Sequence, residues 1–289
     1  MNRTASIYQD MATRTGSSVY IGVVGPVRTG KSTFIKRFMQ TQVIPQIENA
    51  YRPDEQELRR VITSRTRAII INTPCNPTGA AYDRDTLEML AGIAKEFDLL
   101  VLADEIYTRY LYEGEFIPMR TLPGMAERTV TLNSFSKNFL MTGWRVGVAI
   151  APAELISVFQ FISNALTYTA PSISRRAAIR ALALRHQIAE EYICKYRDRV
   201  FYASECIEKL PYMTLLRPRG TFYLFPGIAK TGMTDGQFCQ FLLEKAHILA
   251  VPGSVFGKAG QGHFRIACTV SDEKLREAME RLKDLSACF

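Results

Sequence analysis

The feature that most constrains the fold is an alternation of strand-like and helix-like segments that begins near Pro53. Apolar, β-branched strand segments occur in SRTRAIIINTP, LLVLADEIY, RTVTLNSFSK and WRVGVAIAP. Helical periodicity occurs in PDEQELRRVI and in DRDTLEMLAGIAKEFD, which has an Asp at its expected N-cap. Because such alternation typically builds a parallel sheet covered by helices, the sequence predicts an α/β fold with a mostly parallel sheet and flanking helices.

The second half of the chain has a different pattern. Long helical stretches run from about Pro152 to Leu210, and a mixed segment follows, with helices at Thr234–Ala246 and Ser271–Leu285. This mixture predicts a smaller C-terminal α+β domain. Three parts are therefore expected. Residues 1–52 precede the alternating segments, residues 53–175 form the larger domain with the parallel sheet, and residues 176–289 form a long helix and the smaller domain.

Composition excludes several classes of protein. The hydrophobic fraction of 47% rules out disorder over most of the 289 residues. The net charge is +8, but no basic run with interleaved aromatics is present, so we expect small anionic ligands rather than nucleic acid. The six cysteines lack CxxC spacing and the three histidines lack metal-ligand spacing, which predicts free thiols, a cytoplasmic location and no metal site. Without a signal peptide or a long apolar run, we expect no membrane association.

Polar side chains stand where the predicted strands end. They are Asn76 in NTPCNPTG, Asp104 in LADEIY, and Ser134 with Lys137 in NSFSKNF. Ligands of open α/β sheets bind outside the carboxyl ends of the strands. The sequence therefore predicts a binding site at this edge.

The motifs NPTG, DEIY, SFSKxxxxxGWRVG and FRIAC follow one another in this order along the chain. In these motifs and their order, residues 53–285 resemble the class I aminotransferases, the fold-type-I enzymes that use pyridoxal phosphate (PLP). The resemblance implies a truncated PLP-transferase large domain and a smaller domain. It also implies PLP as cofactor, an amino acid and a 2-oxo acid as substrates, and a homodimer.

The resemblance assigns catalytic roles to three residues. It implies that Lys137 forms the Schiff base with the cofactor aldehyde and then moves the proton between Cα and the cofactor carbon. Asp104 is expected to keep the pyridine nitrogen protonated. Tyr107 is expected to hydrogen-bond the phenolic oxygen of the ring, together with Asn76, which is expected to be a binding residue only.

The same resemblance assigns binding roles to four residues. Ser134 and Arg145 are expected to bind the cofactor phosphate, Arg145 through its planar guanidinium. Arg265, together with Asn76, is expected to hold the α-carboxylate of the substrate.

A second motif lies near the N-terminus. The strand-like VYIGVV is followed by GPVRTGKST and the helix-like FIKRFMQ, which is the context of a phosphate-binding loop (P-loop). Its residues Gly25, Gly30, Lys31 and Ser32 are candidates to bind a nucleotide. Residues 5–51 resemble the start of the stage IV sporulation protein A family, whose members are ATPases that polymerise on the developing spore.

Two resemblances in one chain leave three functions open. A complete class I aminotransferase has a long N-terminal portion before the point that matches Pro53, so we expect a fusion joined near residues 51–53. The first interpretation is an aminotransferase whose activity is impaired because that N-terminal portion is missing. The second is an ATP-binding fragment of a spore-coat assembly protein, and the third is an inactive fusion.

Overall fold

The larger sheet has four strands in the order in which they occur in the chain. The structure is a computed structural model that describes residues 53–289. The strands are β1 (Ala68–Asn72), β2 (Leu100–Asp104), β3 (Thr129–Ser134) and β4 (Gly147–Ile150). Strands β1 to β3 are parallel, and β4 is antiparallel to β3. The prediction of a mostly parallel α/β sheet is confirmed.

Two helices precede the second strand. Helix α1 (Glu55–Val61) is followed after β1 by α2 (Arg84–Glu96), whose N-cap Asp83 accepts a hydrogen bond from the Thr86 amide at 2.9 Å. In α2, the buried residues Leu87, Leu90 and Ala94 recur every three to four positions. This apolar stripe packs against the sheet, which explains why the segment is helical.

The segment that carries Lys137 is a single helical turn. Helix α3 (Phe135–Asn138) directly follows β3, and a 3-10 turn (Thr142–Trp144) leads into β4. The remaining 3-10 turns of the described chain are Thr108–Tyr110, Met119–Thr121, Ala229–Thr231, Gly253–Phe256, Lys258–Gly260 and Leu285–Cys288.

The second half is helical and then mixed, as predicted. The helices that follow β4 are α4 (Ala153–Leu166), α5 (Ser172–Ala183), α6 (Arg185–Ile188) and, after a π-helical turn (Ala189–Ile193), α7 (Cys194–Glu208). A three-stranded antiparallel sheet follows, in the order β5 (Tyr223–Leu224), β7 (Phe264–Ala267), β6 (Val251–Pro252). Helices α8 (Asp235–Ala246) and α9 (Asp272–Asp284) complete this part.

One apolar cluster joins the two sheets. Tyr107 and Tyr110, which follow β2, are buried in the same cluster as Tyr223 of β5 and Phe222, which directly precedes β5. The Tyr110 ring meets the Phe222 ring edge-on, with centroids 5.1 Å apart. The end of β2 is thereby packed against the smaller sheet, which brings residues of both sheets to one site.

Strand β4, at one edge of the larger sheet, and the following helix α4 form an exposed apolar flank. All four residues of β4 are exposed, and no residue of α4 is buried. Among the described residues, no helix is long and apolar enough to cross a membrane.

Candidate active site

An asparagine at the end of β1 frames the edge of the sheet. The Asn72 Nδ2 group donates to the carbonyl oxygen of Asp104 at 3.1 Å, and Asn72 Oδ1 accepts from the amide of Asn76 at 2.9 Å. Asn76 is therefore held beside the end of β2. Sequence reasoning missed Asn72, although a polar residue at a strand end was the available signal.

The carboxylate of Asp104 is enclosed by the protein. One oxygen, Oδ1, is buried and has no hydrogen-bond partner in the described part of the chain. Burial raises the pKa of this carboxyl to about 6, and a hydrogen bond from the Ile106 amide opposes the rise. A buried acceptor without a partner is uncommon in folded proteins and marks a place where a ligand donor fits.

Arg265 reaches the same edge from β7. Its Nη1 atom donates to Asn76 Oδ1 at 2.7 Å, across 189 residues of sequence. The guanidinium carbon lies 4.4 Å from the ring centroid of Tyr223 and 4.9 Å from that of Phe256. The Nε atom is buried and has no partner within residues 53–289. The stacking holds the guanidinium plane in place and leaves a donor for an anion.

Tyr107 lies three residues beyond Asp104 and is almost completely buried. Its hydroxyl donates to the hydroxyl of Tyr223 at 3.2 Å. Burial is the main cause that raises the pKa of Tyr107 well above its ordinary value, and the neighbouring Tyr223 raises this pKa further. The two phenols connect the end of β2 to the aromatic surface under Arg265.

Lys137 is half-buried on α3, and its amine lies 5.7 Å from the ring centroid of Phe222. Burial lowers the pKa of Lys137, and the positive charges of Arg265 and Arg145 lower it further. The structure thus brings this lysine into the electrostatic reach of both arginines. A lowered pKa increases the unprotonated, nucleophilic fraction of the amine at neutral pH.

Ser134 directly precedes α3 in the chain, and Arg145 directly follows the 3-10 turn beyond it. The Ser134 hydroxyl accepts from the Ser136 amide at 3.1 Å and caps the helix. Arg145 is exposed, has φ of 55°, and donates from Nη1 to the carbonyl of Thr142 at 3.0 Å. No hydrogen bond joins Ser134 to Arg145 in the part of the chain that is described.

Several residues around this site were not singled out by sequence reasoning. Tyr223 and Phe256 support Arg265. Tyr110 donates to the carbonyl of Lys137, and Asn138, the last residue of α3, donates to Thr108. The sequence offered little signal for the three aromatic residues, because aromatic residues in an apolar run are typical of any core, and a single buried amide such as Asn138 leaves no repeat.

The fold and this set of groups define the class of the protein, an α/β protein of the PLP-dependent transferase type. The sequence profile of the family described as "Aminotransferase class I and II" matches residues 36–282. The chain belongs to this family, whose class I members use PLP.

Curated relatives agree with this assignment. An aspartate aminotransferase of Pyrococcus abyssi and an aromatic-amino-acid aminotransferase 2 of Thermococcus litoralis are each 39% identical over 242 residues. Each alignment covers 82% of this chain and 61% of the relative. The chain thus spans about three fifths of the length of these curated relatives.

Solved structures share the fold. A double mutant of Thermus thermophilus aspartate aminotransferase matches with a TM-score of 0.76 at 36% identity, covering 81% of this chain and 60% of that one. An aromatic aminotransferase from Pyrococcus horikoshii matches with a TM-score of 0.80 at 29% identity, covering 100% and 93%. The predicted fold class is confirmed.

The residues at the site fit PLP. The unpartnered oxygen of Asp104 can accept from a protonated ring nitrogen, and the half-buried amine of Lys137 can meet an aldehyde. The hydroxyl of Ser134 and the exposed guanidinium of Arg145 are donors suited to a phosphate.

The predicted P-loop lies outside the described residues. Its four candidates Gly25, Gly30, Lys31 and Ser32 all precede residue 53. The family match begins at residue 36, inside the segment that resembles the sporulation protein and ahead of the expected junction near residue 53. These comparisons give no support to the nucleotide-binding or fusion predictions.

Proposed function

We propose that this chain is a PLP-dependent aminotransferase that moves an α-amino group between an amino acid and a 2-oxo acid. The observation that carries the proposal is the buried, unpartnered Oδ1 of Asp104 at the carboxyl end of β2. Family membership supports the activity, and relatives named for aspartate and aromatic amino acids support α-amino acids as the substrate class.

Asp104 would hold the ring nitrogen of the cofactor. When bound, PLP supplies an aldehyde that takes up the amino group and a ring that accepts electrons released at Cα. The Asp104 carboxylate is buried, so its charge would stabilise a protonated ring nitrogen more strongly than an exposed carboxylate could. Tyr107 and Asn76 would hydrogen-bond the phenolic oxygen.

Lys137 would be the nucleophile and the base. Its lowered pKa favours the neutral amine, which would hold the cofactor through its aldehyde and, once the amino group of the substrate has displaced it, would accept a proton at Nζ. Ser134 and Arg145 would bind the phosphate, with the guanidinium as a two-donor fork.

Arg265 would bind the α-carboxylate of the substrate. Its Nη1 is already fixed by Asn76 and its plane is held by Tyr223, so Nε remains as a preoriented donor. This contact recognises a group that all α-amino acids share.

The assembly, domain limits and location that the sequence predicts are carried as part of the proposal. A homodimer follows from the family resemblance, and the boundaries at residues 52 and 175 stay predictions. The six free cysteines, all within the described residues, support a reducing, cytoplasmic location.

The test is uptake of PLP by the purified full-length chain. We expect a visible absorption band that borohydride abolishes, with mass spectrometry locating the reduced cofactor on Lys137. After borohydride treatment Lys137→Ala must carry no covalently attached cofactor, while Lys95→Ala, which changes an exposed lysine of α2, must carry it as the wild-type chain does. A wild-type preparation that stays colourless at saturating PLP would contradict the proposal.

The nucleotide-binding alternative has its own test. The P-loop pattern of Gly25 to Ser32 is the feature that favours it. Binding of Mg-ATP to the full-length chain, lost on Lys31→Ala and retained on Lys137→Ala, would support this second activity. Absence of Mg-ATP binding by the wild-type chain would exclude it.

A further inference from the structure

The helix that carries Lys137 is too short to hold its own position. Helix α3 has four residues, and Leu140 just beyond it has φ of 59°, which ends the helical path. The turn closes with the Phe139 amide bonded to the Phe135 carbonyl at 3.2 Å. A single turn has little stability of its own because helix nucleation is unfavourable. The place of Lys137 therefore depends on bonds from other segments.

The side chain of Asn138 supplies three such bonds. It is only 3% exposed, and its Nδ2 group donates to Thr108 Oγ1 at 2.9 Å and to Asn133 Oδ1 at 2.8 Å. Its Oδ1 accepts from the Arg109 amide at 3.2 Å. Both donor hydrogens and the carbonyl oxygen are used, so the buried amide is satisfied in this one orientation.

Tyr110 holds the other side of the same turn. Its hydroxyl donates to the carbonyl oxygen of Lys137 at 3.0 Å, and its ring is fully buried. The ring also meets Phe222, whose own ring lies beneath the Lys137 amine. The backbone of Lys137 is thus bonded to Tyr110 of the aromatic cluster, and its side chain lies over Phe222 of the same cluster.

We propose that Asn138, assisted by Tyr110, is a positioning residue that fixes the Lys137 amine relative to Tyr107. Thr108 and Arg109, which Asn138 binds, directly follow Tyr107, so the amide joins the two segments across about 30 residues of sequence. The catalytic meaning of this tie rests on the proposed function, since Lys137 and Tyr107 would act on the same cofactor.

The test compares two variants that remove hydrogen bonds of the Asn138 amide with one variant that leaves these bonds intact. Asn138→Ala removes the amide, and Thr108→Val removes one acceptor while keeping the shape of the side chain. Thr131→Val is the matched control, because Thr131 Oγ1 is buried on β3 and has no partner in the described residues. Thermal melts monitored by circular dichroism establish that each variant folds.

The first measurement needs no cofactor. The pH dependence of Lys137 labelling by an amine reagent, read by mass spectrometry, gives the midpoint of its titration. The Lys137 amine faces the charges of Arg265 and Arg145 in a partly desolvated place. If the turn loosens, the midpoint rises toward the ordinary value of about 10.4. We expect this rise in Asn138→Ala and Thr108→Val and no rise in Thr131→Val.

The second measurement uses PLP and substrate. For Asn138→Ala and Thr108→Val we expect kcat to fall about 10- to 100-fold with little change in KM, because misplacement of a reacting group affects the reaction more than it affects binding. Should both variants keep the wild-type titration midpoint, the inference would be overturned. If Asn138→Ala fails to fold, Thr108→Val decides alone. A wild-type chain that takes up no PLP would refute the proposed function, while the labelling comparison still decides the positioning role.

Discussion

The Nη1 atom of Arg265 donates a 2.7 Å hydrogen bond to Oδ1 of Asn76, which links the smaller sheet to the carboxyl edge of the larger one. Asn76 is held in turn by Asn72, and Arg265 lies over the ring of Tyr223. The guanidinium is therefore fixed before any ligand arrives. A preoriented donor binds an anion with a smaller loss of conformational entropy.

Replacement of this arginine by lysine should separate substrate binding from cofactor binding. In Arg265→Lys the planar fork is lost, so we expect KM for the amino acid to rise about 10- to 100-fold, equivalent to about 1.5–3 kcal/mol. The affinity for PLP should change little. Steady-state kinetics and a PLP titration measure the two effects.

The matched control is Arg276→Lys, which alters an arginine stacked on Tyr202 outside this site. It should leave both constants unchanged. An Arg265→Lys variant with wild-type KM would show that Arg265 does not bind the substrate carboxylate.

The site could be predicted from the sequence only in part. Asn76, Asp104 and Lys137 follow predicted strands, and the carboxyl ends of parallel strands meet at one edge, so their neighbourhood follows from local pattern. The contacts of Arg265 with Asn76 and of Tyr107 with Tyr223 span 189 and 116 residues. Such pairs depend on how the two sheets pack, which periodicity does not encode.

The fold was similarly predictable to the level of its elements. Periodicity identified the strands and helices, because burial on one face imposes a repeat on the sequence. It did not identify Asn138, since a single buried amide leaves no repeat. Its role became visible only through three partners on two other segments.

The hydroxyls of Tyr107 and Tyr223 should be energetically coupled. They form a buried hydrogen bond of 3.2 Å, so Tyr107→Phe and Tyr223→Phe should each destabilise the cofactor-free protein by about 1 kcal/mol. Because both remove the same bond, the double variant should lose less than the sum. Urea denaturation of the wild-type protein, the two single variants and the double variant measures the coupling. Additive losses would mean that the bond contributes nothing.

The stability of the cofactor-free protein should fall as pH rises from about 4 to 7. Burial raises the pKa of Asp104 to about 6 and that of Glu105 to about 7, above their ordinary values. In this window the folded state therefore binds more protons than the unfolded state, and the free energy of unfolding decreases with pH. Denaturant melts across this range measure the decrease.

Neutral variants should flatten that dependence. Asp104→Asn should remove about 1–3 kcal/mol of the decrease. Glu105→Gln should act in the same direction and still accept the hydrogen bond from the Met119 amide, which Glu105 accepts at 2.9 Å. Glu115→Gln, at an exposed position, is the control and should leave the curve unchanged. A wild-type curve that is flat or rises between pH 4 and 7 would refute the prediction.

The exposed apolar flank should promote self-association. Strand β4 is an edge in the described part of the sheet, and the exposed side chains of Ile150 and Phe161 are 42% and 60% accessible. Edge strands with apolar side chains pair readily with other chains. Ile150→Lys should therefore lower the sedimentation-averaged mass at high protein concentration, whereas Ala183→Lys, at an exposed site on α5, should not. Equal masses for Ile150→Lys and the wild-type protein would place the association elsewhere.

Gly220 should tolerate no side chain, because it lies where the two sheets meet. A Cβ atom at Gly220 would stand 2.7 Å from the carbonyl oxygen of Tyr110 and 2.8 Å from Cβ of Pro74. Gly220→Ala must push apart the segments that carry Tyr107 and Asn76, so we expect a loss of about 1–3 kcal/mol in stability. Gly92→Ala is the matched control, since Gly92 lies on the exposed side of α2 with nothing within 4 Å of a new Cβ. There the same change should stabilise the protein by about 0.5–1 kcal/mol. Urea denaturation of both variants tests the contrast, and similar free energies of unfolding would show that the close approach at Gly220 is absent.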